Sequence, residues 1–514
     1  MSNGADMRRR LGRRDGADES VGIGGGDQTH GAAGSEVASY LGAQSHARWT
    51  GGFEELDYSE FSPLDAINWF SADNIDVGTG GVVKVYFATS GQSFGELADN
   101  GVSPLPSFGW NAFEKQQMML ALTEFGKILG YTYVETTNSA EAEFRLITTT
   151  STQYGAYFIP QDSAYGTRQG IGVFNVDSGN WDKPGASQFD TPGSQISLTQ
   201  GGFAFAVILH ELGHAHGLAH PHDTGGGSDV MLGVTSPSDL GDFDLNQGVY
   251  TVMSYNDAWQ LHPDGASPFT LAGLDSGWSG TLSALDIAVL QQRYGINNPH
   301  ATGNSVYTLK DAESAVGTYY ETIWDTGGTD EIRYIGTRDA QIDLNAATLD
   351  YSATGGGLIS FVDDIHGGYT IANGVVIENG TGGSGNDTII GNGAANVLRG
   401  EEGNDTLVGG NGNDYLAGGG GSDVMQGDAG DDTYYLDGAG DVVNEAAGQG
   451  YDRVATTIGY TLVTGSSIEE LYAEMPPAPA RWTSPATSSP TSSSAITAST
   501  SCAARAATTL CPPA

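Results

Sequence analysis

GGSGNDTII GNGAANVLR GEEGNDTLV GGNGNDYLA GGGGSDVMQ GDAGDDTYY, residues 382–435, is six nonapeptides joined without a gap. Each opens on glycine, at Gly382, Gly391, Gly400, Gly409, Gly418 and Gly427. An unbroken period of nine with G-G-x-G-x-D-x-U-x texture predicts a parallel β-roll, in which each repeat makes a tight turn and a short strand. Glycine allows the turn. The eighth position sends one apolar side chain inward: Ile389, Leu398, Leu407, Leu416, Met425 and Tyr434. The sixth places Asp387, Asp405, Asp414, Asp423 and Asp432 in the turns, with Asn396 as the exception. Stacked carboxylates and turn carbonyls make an oxygen-only donor set, which suits calcium; a site at Asn396 should be weaker.

The rest of the composition agrees with a cation-binding chain. The 514 residues hold 62 acidic and 20 basic side chains, a formal net charge of −42. Such a charge excludes nucleic acid as a partner, because phosphate binding needs Lys and Arg. No run of apolar residues is long enough to span a bilayer. The only cysteines, Cys502 and Cys511, lie near the C-terminus, so neither a disulfide framework nor a cysteine-ligated metal is expected upstream.

Upstream of the roll, strands are expected at 82–88, 131–135, 143–148 and 170–176, with helices at 114–129, 203–216 and 282–295. Strand, helix, strands, helix predicts an α+β, α/β-layered unit. Residues 1–45 read as a flexible leader or pro-segment, 46–296 as the layered domain, 297–474 as the roll domain and 475–514 as a low-complexity tail.

The second helix carries HELGHAHGLAH, His210–His220. His210 and His214 stand one turn apart on one face, so both rings can reach one metal. Gly217 can turn left-handed, end the helix and bring His220 back as a third ligand. Three nitrogens and an open position suit a catalytic zinc. Glu211, about 100° around the helix from His210, is placed to take a proton from a metal-activated water. His216 lies about 240° from His210 and His222 follows the motif. Both are expected to be polar loop or surface residues rather than ligands.

H-E-x-x-H-x-x-G-x-x-H followed by YTVMSYND (Tyr250–Asp257) resembles the metzincin metalloproteases. VMSY at Val252–Tyr255, with the repeats behind it, resembles their serralysin branch, secreted calcium-dependent bacterial endopeptidases. The resemblance runs from about Val82 to Glu474 and implies a metzincin-type catalytic domain ahead of the roll. It also implies that Met253 forms a turn under the zinc histidines and that Tyr255 is a mobile further ligand stabilising the transition state. From WDTGGTDE (Trp324–Glu331) and GVVIENG (Gly374–Gly380) it implies calcium contacts at Asp325, Gly327, Gly328, Asp330 and Glu378, with Gly303 and Ser305 as carbonyl donors. Val376 stands where the family has threonine. Protein or peptide substrates, one catalytic zinc, several structural calcium ions, a zymogen stage, a monomer and export by type I secretion machinery follow from the same resemblance. The alternative is a calcium-binding surface or matrix protein with an inactive zincin domain. After Glu474 the chain has no Asp or Glu. A shifted reading frame there is the expectation, which would remove the C-terminal secretion signal.

Overall fold

The computed structural model describes residues 58–77, 80–178, 181, 197–268, 276–295, 298–312, 317–462 and 465–473. The expected leader (1–45) and tail (475–514) lie outside them. The chain divides into two compact units, one of residues 1–302, 310–328 and 346–375, the other of 303–309, 329–345 and 376–514.

The first unit is built on a five-stranded sheet: β1 (Val82–Phe87), β2 (Thr132–Glu135), β3 (Phe144–Thr149), β4 (Ala156–Phe158) and β5 (Ile171–Asn175), in the order β2-β1-β3-β5-β4. All neighbours are parallel except β4, which runs antiparallel to β5. β4 has only three residues, too few for an alternating pattern to register in the sequence. Helix α1 (Ala112–Leu129) begins in a capping box between Asn111 and Glu114 and ends at Gly130, in the left-handed region. Its apolar face, Met118, Leu122, Phe125 and Leu129, is buried. Helix α2 (Phe203–Ala215) packs on α1. Everything from Leu209 to Ala215 on α2 is buried, including His210, Glu211 and His214. Helix α3 (Ala284–Tyr294) opens with a second capping box, Ser283 with Asp286.

Segments 310–328 and 346–375, read from the sequence as part of the roll domain, group with the first unit instead. β7 (Tyr320–Ile323) runs parallel to β11 (Gly368–Ile371), which forms a hairpin with β10 (Ser360–Val362), and Tyr320 bridges to Ser279.

The second unit is the roll. Five of its strands follow one another in one sheet: β9 (Ala340–Asp343), β13 (Thr388–Ile390), β15 (Thr406–Asn411), β17 (Val424–Ala429), β19 (Val442–Asn444). The other runs β6 (Val306–Thr308), β8 (Glu331–Arg333), β12 (Asn379–Thr381), β14 (Val397–Gly403), β16 (Tyr415–Gly421), β18 (Thr433–Leu436), β20 (Arg453–Thr456), β21 (Glu470–Ala473). Every pair within them is parallel. Because strands alternate between sheets, like positions meet 18 residues apart: Ile389, Leu407, Met425 and Val443 stack in one sheet, Leu398, Leu416 and Tyr434 in the other. All are fully buried. Burying an aliphatic side chain contributes about 1.5–3 kcal/mol, so these two stacks hold the roll together.

Candidate metal centres

Helix α2 stops where the sequence says it must. Gly217 has φ +88°, and a Cβ there would lie 2.5 Å from the Arg293 guanidinium carbon. Leu218 N–H then bonds back to Gly213 O at 2.9 Å, and the chain reverses to deliver His220. Arg293 is itself held by Asn68 Oδ1 (2.6 Å), Trp69 O (2.8 Å) and Ala72 O (2.9 Å). Beneath the helix, Met253 is fully buried, and its sulfur lies 2.5 Å from where a Cβ on Gly213 would be. Glycine at 213 makes room for that turn.

His220 Nε2 stands 3.1 Å from His210 Nε2 and 2.9 Å from His214 Nε2. Tyr255 Oη is 3.1 Å from the same His220 nitrogen. The opposite edge of each ring is also committed. His210 Nδ1 donates to Val252 O (2.8 Å), His214 Nδ1 to Leu218 O (2.9 Å) and His220 Nδ1 to Asp223 Oδ2 (2.9 Å). Carbonyls and an ionised carboxylate only accept, so each Nδ1 carries the hydrogen and each Nε2 is a lone pair. Burial and the neighbouring imidazoles keep His210 and His214 neutral, His214 down to about 3. Three lone pairs converging in a buried site repel one another unless a cation lies between them. A borderline-soft divalent ion such as zinc fits that donor set. Glu211, 1% exposed, adjoins His210 on α2.

Sequence reasoning missed the groups that orient these rings. Burial raises the Asp223 carboxyl, but the His220 and Gly225 N–H groups outweigh it and hold it at about 2. Asp286 accepts from Val252 N–H (2.9 Å), Thr251 Oγ1 (2.7 Å) and Ser283 N–H (3.0 Å). It therefore fixes the Val252 carbonyl that fixes His210. Complete burial pushes Asp286 up to about 6. Neither aspartate has a spacing that marks it.

One expectation needs correction. His216 is not a surface residue: it is fully buried, stacked on Phe125 at 4.1 Å, with Nδ1 on Leu212 O (2.6 Å) and Nε2 on Tyr133 Oη (2.7 Å). Helix α2 has no solvent face there, so the side turned from the cluster is core. His222 is half-buried in the wall of the site, stacked on His220 at 4.8 Å and 4.4 Å from the Tyr255 ring.

In the roll, the repeat aspartates form two ladders. Oδ1 of Asp405 accepts from Asp387 N–H (2.8 Å), and Oδ1 of Asp423 from Asp405 N–H (2.9 Å). On the other side Asp414 accepts from Asn396 N–H (2.7 Å) and Asp432 from Asp414 N–H (2.8 Å). The second oxygens of Asp405, Asp414, Asp423 and Asp432 are buried without a hydrogen-bond partner. A Cβ on Gly400, Gly409, Gly418 or Gly427 would overlap those same oxygens. Burial is the main cause raising Asp405 and Asp414 to about 7, and Asp423 and Asp432 to about 6. Buried, orphaned carboxylate oxygens beside glycines that leave space for an ion fit calcium. Asn396 instead satisfies its amide on Glu378 O and Asn392 Oδ1, both 3.1 Å away. The ladders continue beyond the legible repeats, through Asp441 to Asp423 N–H (3.4 Å) and Asp452 to Asp432 N–H (3.0 Å).

Of the remaining calcium candidates, Asp325 accepts from Gly327 N–H at 3.1 Å, and Gly327 and Gly328 both have φ +150°. In the second unit, Asp330 and Glu378 meet: Asp330 N–H donates to Glu378 Oε2 at 2.8 Å, and Ser305 N–H to Asp330 Oδ1 at 2.7 Å.

Fold and site define a metzincin-like histidine cluster in a layered unit, followed by a calcium-type β-roll. A family model described as RTX calcium-binding nonapeptide repeat (four copies) matches residues 381–416 and 408–443. The chain is serralysin-like: it is similar to metallopeptidase AprA of Pseudomonas marginalis, 31% identical over 333 residues, covering 63% of this chain and 62% of that protein. It is likewise similar to serralysin of Photorhabdus luminescens, 31% identical with 56% and 54% covered. Serralysin C of Dickeya chrysanthemi is 29% identical, with 68% and 71% covered. The chain thus spans less than two thirds of the length of the first two relatives. No helix among the described residues is long and apolar enough to cross a membrane.

Proposed function

We propose that the chain is a zinc-dependent, calcium-stabilised extracellular endopeptidase. The observation that carries this reading is the convergence of three Nε2 lone pairs, 2.9–3.1 Å from His220 to its partners, next to Glu211. His210, His214 and His220 would hold the zinc, which supplies Lewis-acid polarisation of the scissile carbonyl and acidifies a water. Glu211 removes a proton from the attacking water and passes it to the leaving amine nitrogen as the C–N bond breaks. The Tyr255 hydroxyl donates a hydrogen bond to the oxyanion of the tetrahedral adduct. Asp223 and Asp286 keep the rings oriented.

Asp387, Asp405, Asp414, Asp423 and Asp432 would bind calcium in the roll. Asp325, Gly327, Gly328, Asp330 and Glu378 are the further calcium candidates carried by the family likeness. Protein or peptide substrates, a zymogen leader, a monomeric state and type I export rest on that likeness alone.

Casein zymography of the calcium-loaded chain tests the activity. Clearing that a zinc chelator abolishes is expected. No clearing with zinc bound leaves a calcium-binding protein with an inactive site.

A further inference from the structure

Away from these centres, the first unit holds a second cluster of metal-binding side chains. His262 and His366 are buried, 3% and 0% exposed, their rings stacked 4.2 Å apart with planes 18° from parallel. Asp264 reaches both. One carboxylate oxygen lies 2.8 Å from His262 Nδ1 and the other 3.1 Å from His366 Nε2. One ligand atom from each residue lies within 4.8 Å of the other two.

The tautomer of His262 is set from behind. Its Nε2 lies 3.2 Å from Ile365 O, an acceptor, so Nε2 carries the hydrogen. In the neutral ring Nδ1 is then a lone pair, and the Asp264 N–H points at it from 3.4 Å. A lone pair 2.8 Å from a carboxylate oxygen is repulsive without a cation between them.

We propose that His262, Asp264 and His366 form a second site for a divalent transition metal, structural rather than catalytic. Two imidazoles and one carboxylate suit zinc, cobalt or nickel, whereas calcium prefers oxygen alone. Asp264 is the exposed member of the cluster. His262 and Asp264 belong to the segment that follows Tyr255, and His366 to the turn between β10 and β11. Trp259 already packs on Phe361 of β10 at 5.0 Å. A metal bridging the two segments would pin the chain downstream of Tyr255 to that hairpin. The other cation that satisfies the geometry is a proton on His262, giving an imidazolium–carboxylate pair and no metal site.

Cobalt content separates the two. The calcium-loaded full chain is equilibrated with excess cobalt, desalted and analysed for metal per chain, alongside three variants whose fold is checked by circular dichroism. The wild type is expected to hold two transition-metal ions. His210→Ala/His214→Ala keeps one, and Asp264→Asn and His366→Ala each keep one. Asp264→Asn is nearly isosteric and partly exposed, so it reports even if His366→Ala does not fold. One ion in the wild type, absent from His210→Ala/His214→Ala and retained in Asp264→Asn, overturns the proposal in favour of the proton. Casein cleavage is read separately, so this result is independent of the protease assignment.

Discussion

Gly217 meets two demands at once: a left-handed backbone and contact with the Arg293 guanidinium. Gly217→Ala should cost about 1–2 kcal/mol from the backbone alone, with more from displacing Arg293. It should also weaken metal binding by moving His220; an unchanged melting temperature and zinc affinity would refute this. Tyr255→Phe should lower kcat about 100-fold with KM little changed, the signature of a lost transition-state hydrogen bond. At this scale the three histidines and Glu211 were legible because helical spacing and one glycine place them locally. Asp223 and Asp286 were not, since each acts through a ring or carbonyl whose position depends on a distant part of the chain. His216 was misread because a polar letter on the far side of a helix suggests solvent, and α2 has none there.

Among the elements, α3 matters to the site more than its distance in sequence suggests. Its capping carboxylate, Asp286, serves the helix N-terminus and the Thr251–Val252 turn together. Asp286→Ala strands three buried donors and should cost about 2–3 kcal/mol, lowering zinc affinity as well as stability. Equal stability in urea would contradict that role. The long helices were legible from periodicity and their glycine stops. β4, β7, β10 and β11 were not, each having only three or four residues, and β7 pairs with β11 some forty-five residues on. Roll turns were legible only while glycine opened them. The next turn opens on Leu436, yet its Val443 is fully buried and Asp441 joins the ladder. Asp452 lies 20 rather than 18 residues beyond its ladder partner Asp432.

For the whole molecule, 62 acidic residues against 20 basic ones make calcium the expected counter-charge. Without calcium, Asp405 and Asp414 at about 7 and Asp423 and Asp432 at about 6 stand above an unfolded value of about 3.9. The folded roll then binds more protons than the unfolded chain between about pH 4 and 7. Its stability is full below that window and falls as pH rises through it. Calcium requires ionised carboxylates, so its stabilisation grows over the same window. Urea midpoints followed by far-UV circular dichroism should be lower at pH 8 than at pH 5 in a calcium chelator. Saturating calcium should remove the difference. A chelated roll indifferent to pH would contradict the ladder assignment. In the proposed mechanism Glu211 transfers the proton beside a zinc held by His210, His214 and His220. Casein hydrolysis by wild type and Glu211→Ala, both calcium-loaded and matched for zinc content, tests it most directly. Cleavage by the wild type and none by the variant is the expected result; cleavage by the variant, or an inert zinc-loaded wild type, would overturn the mechanism.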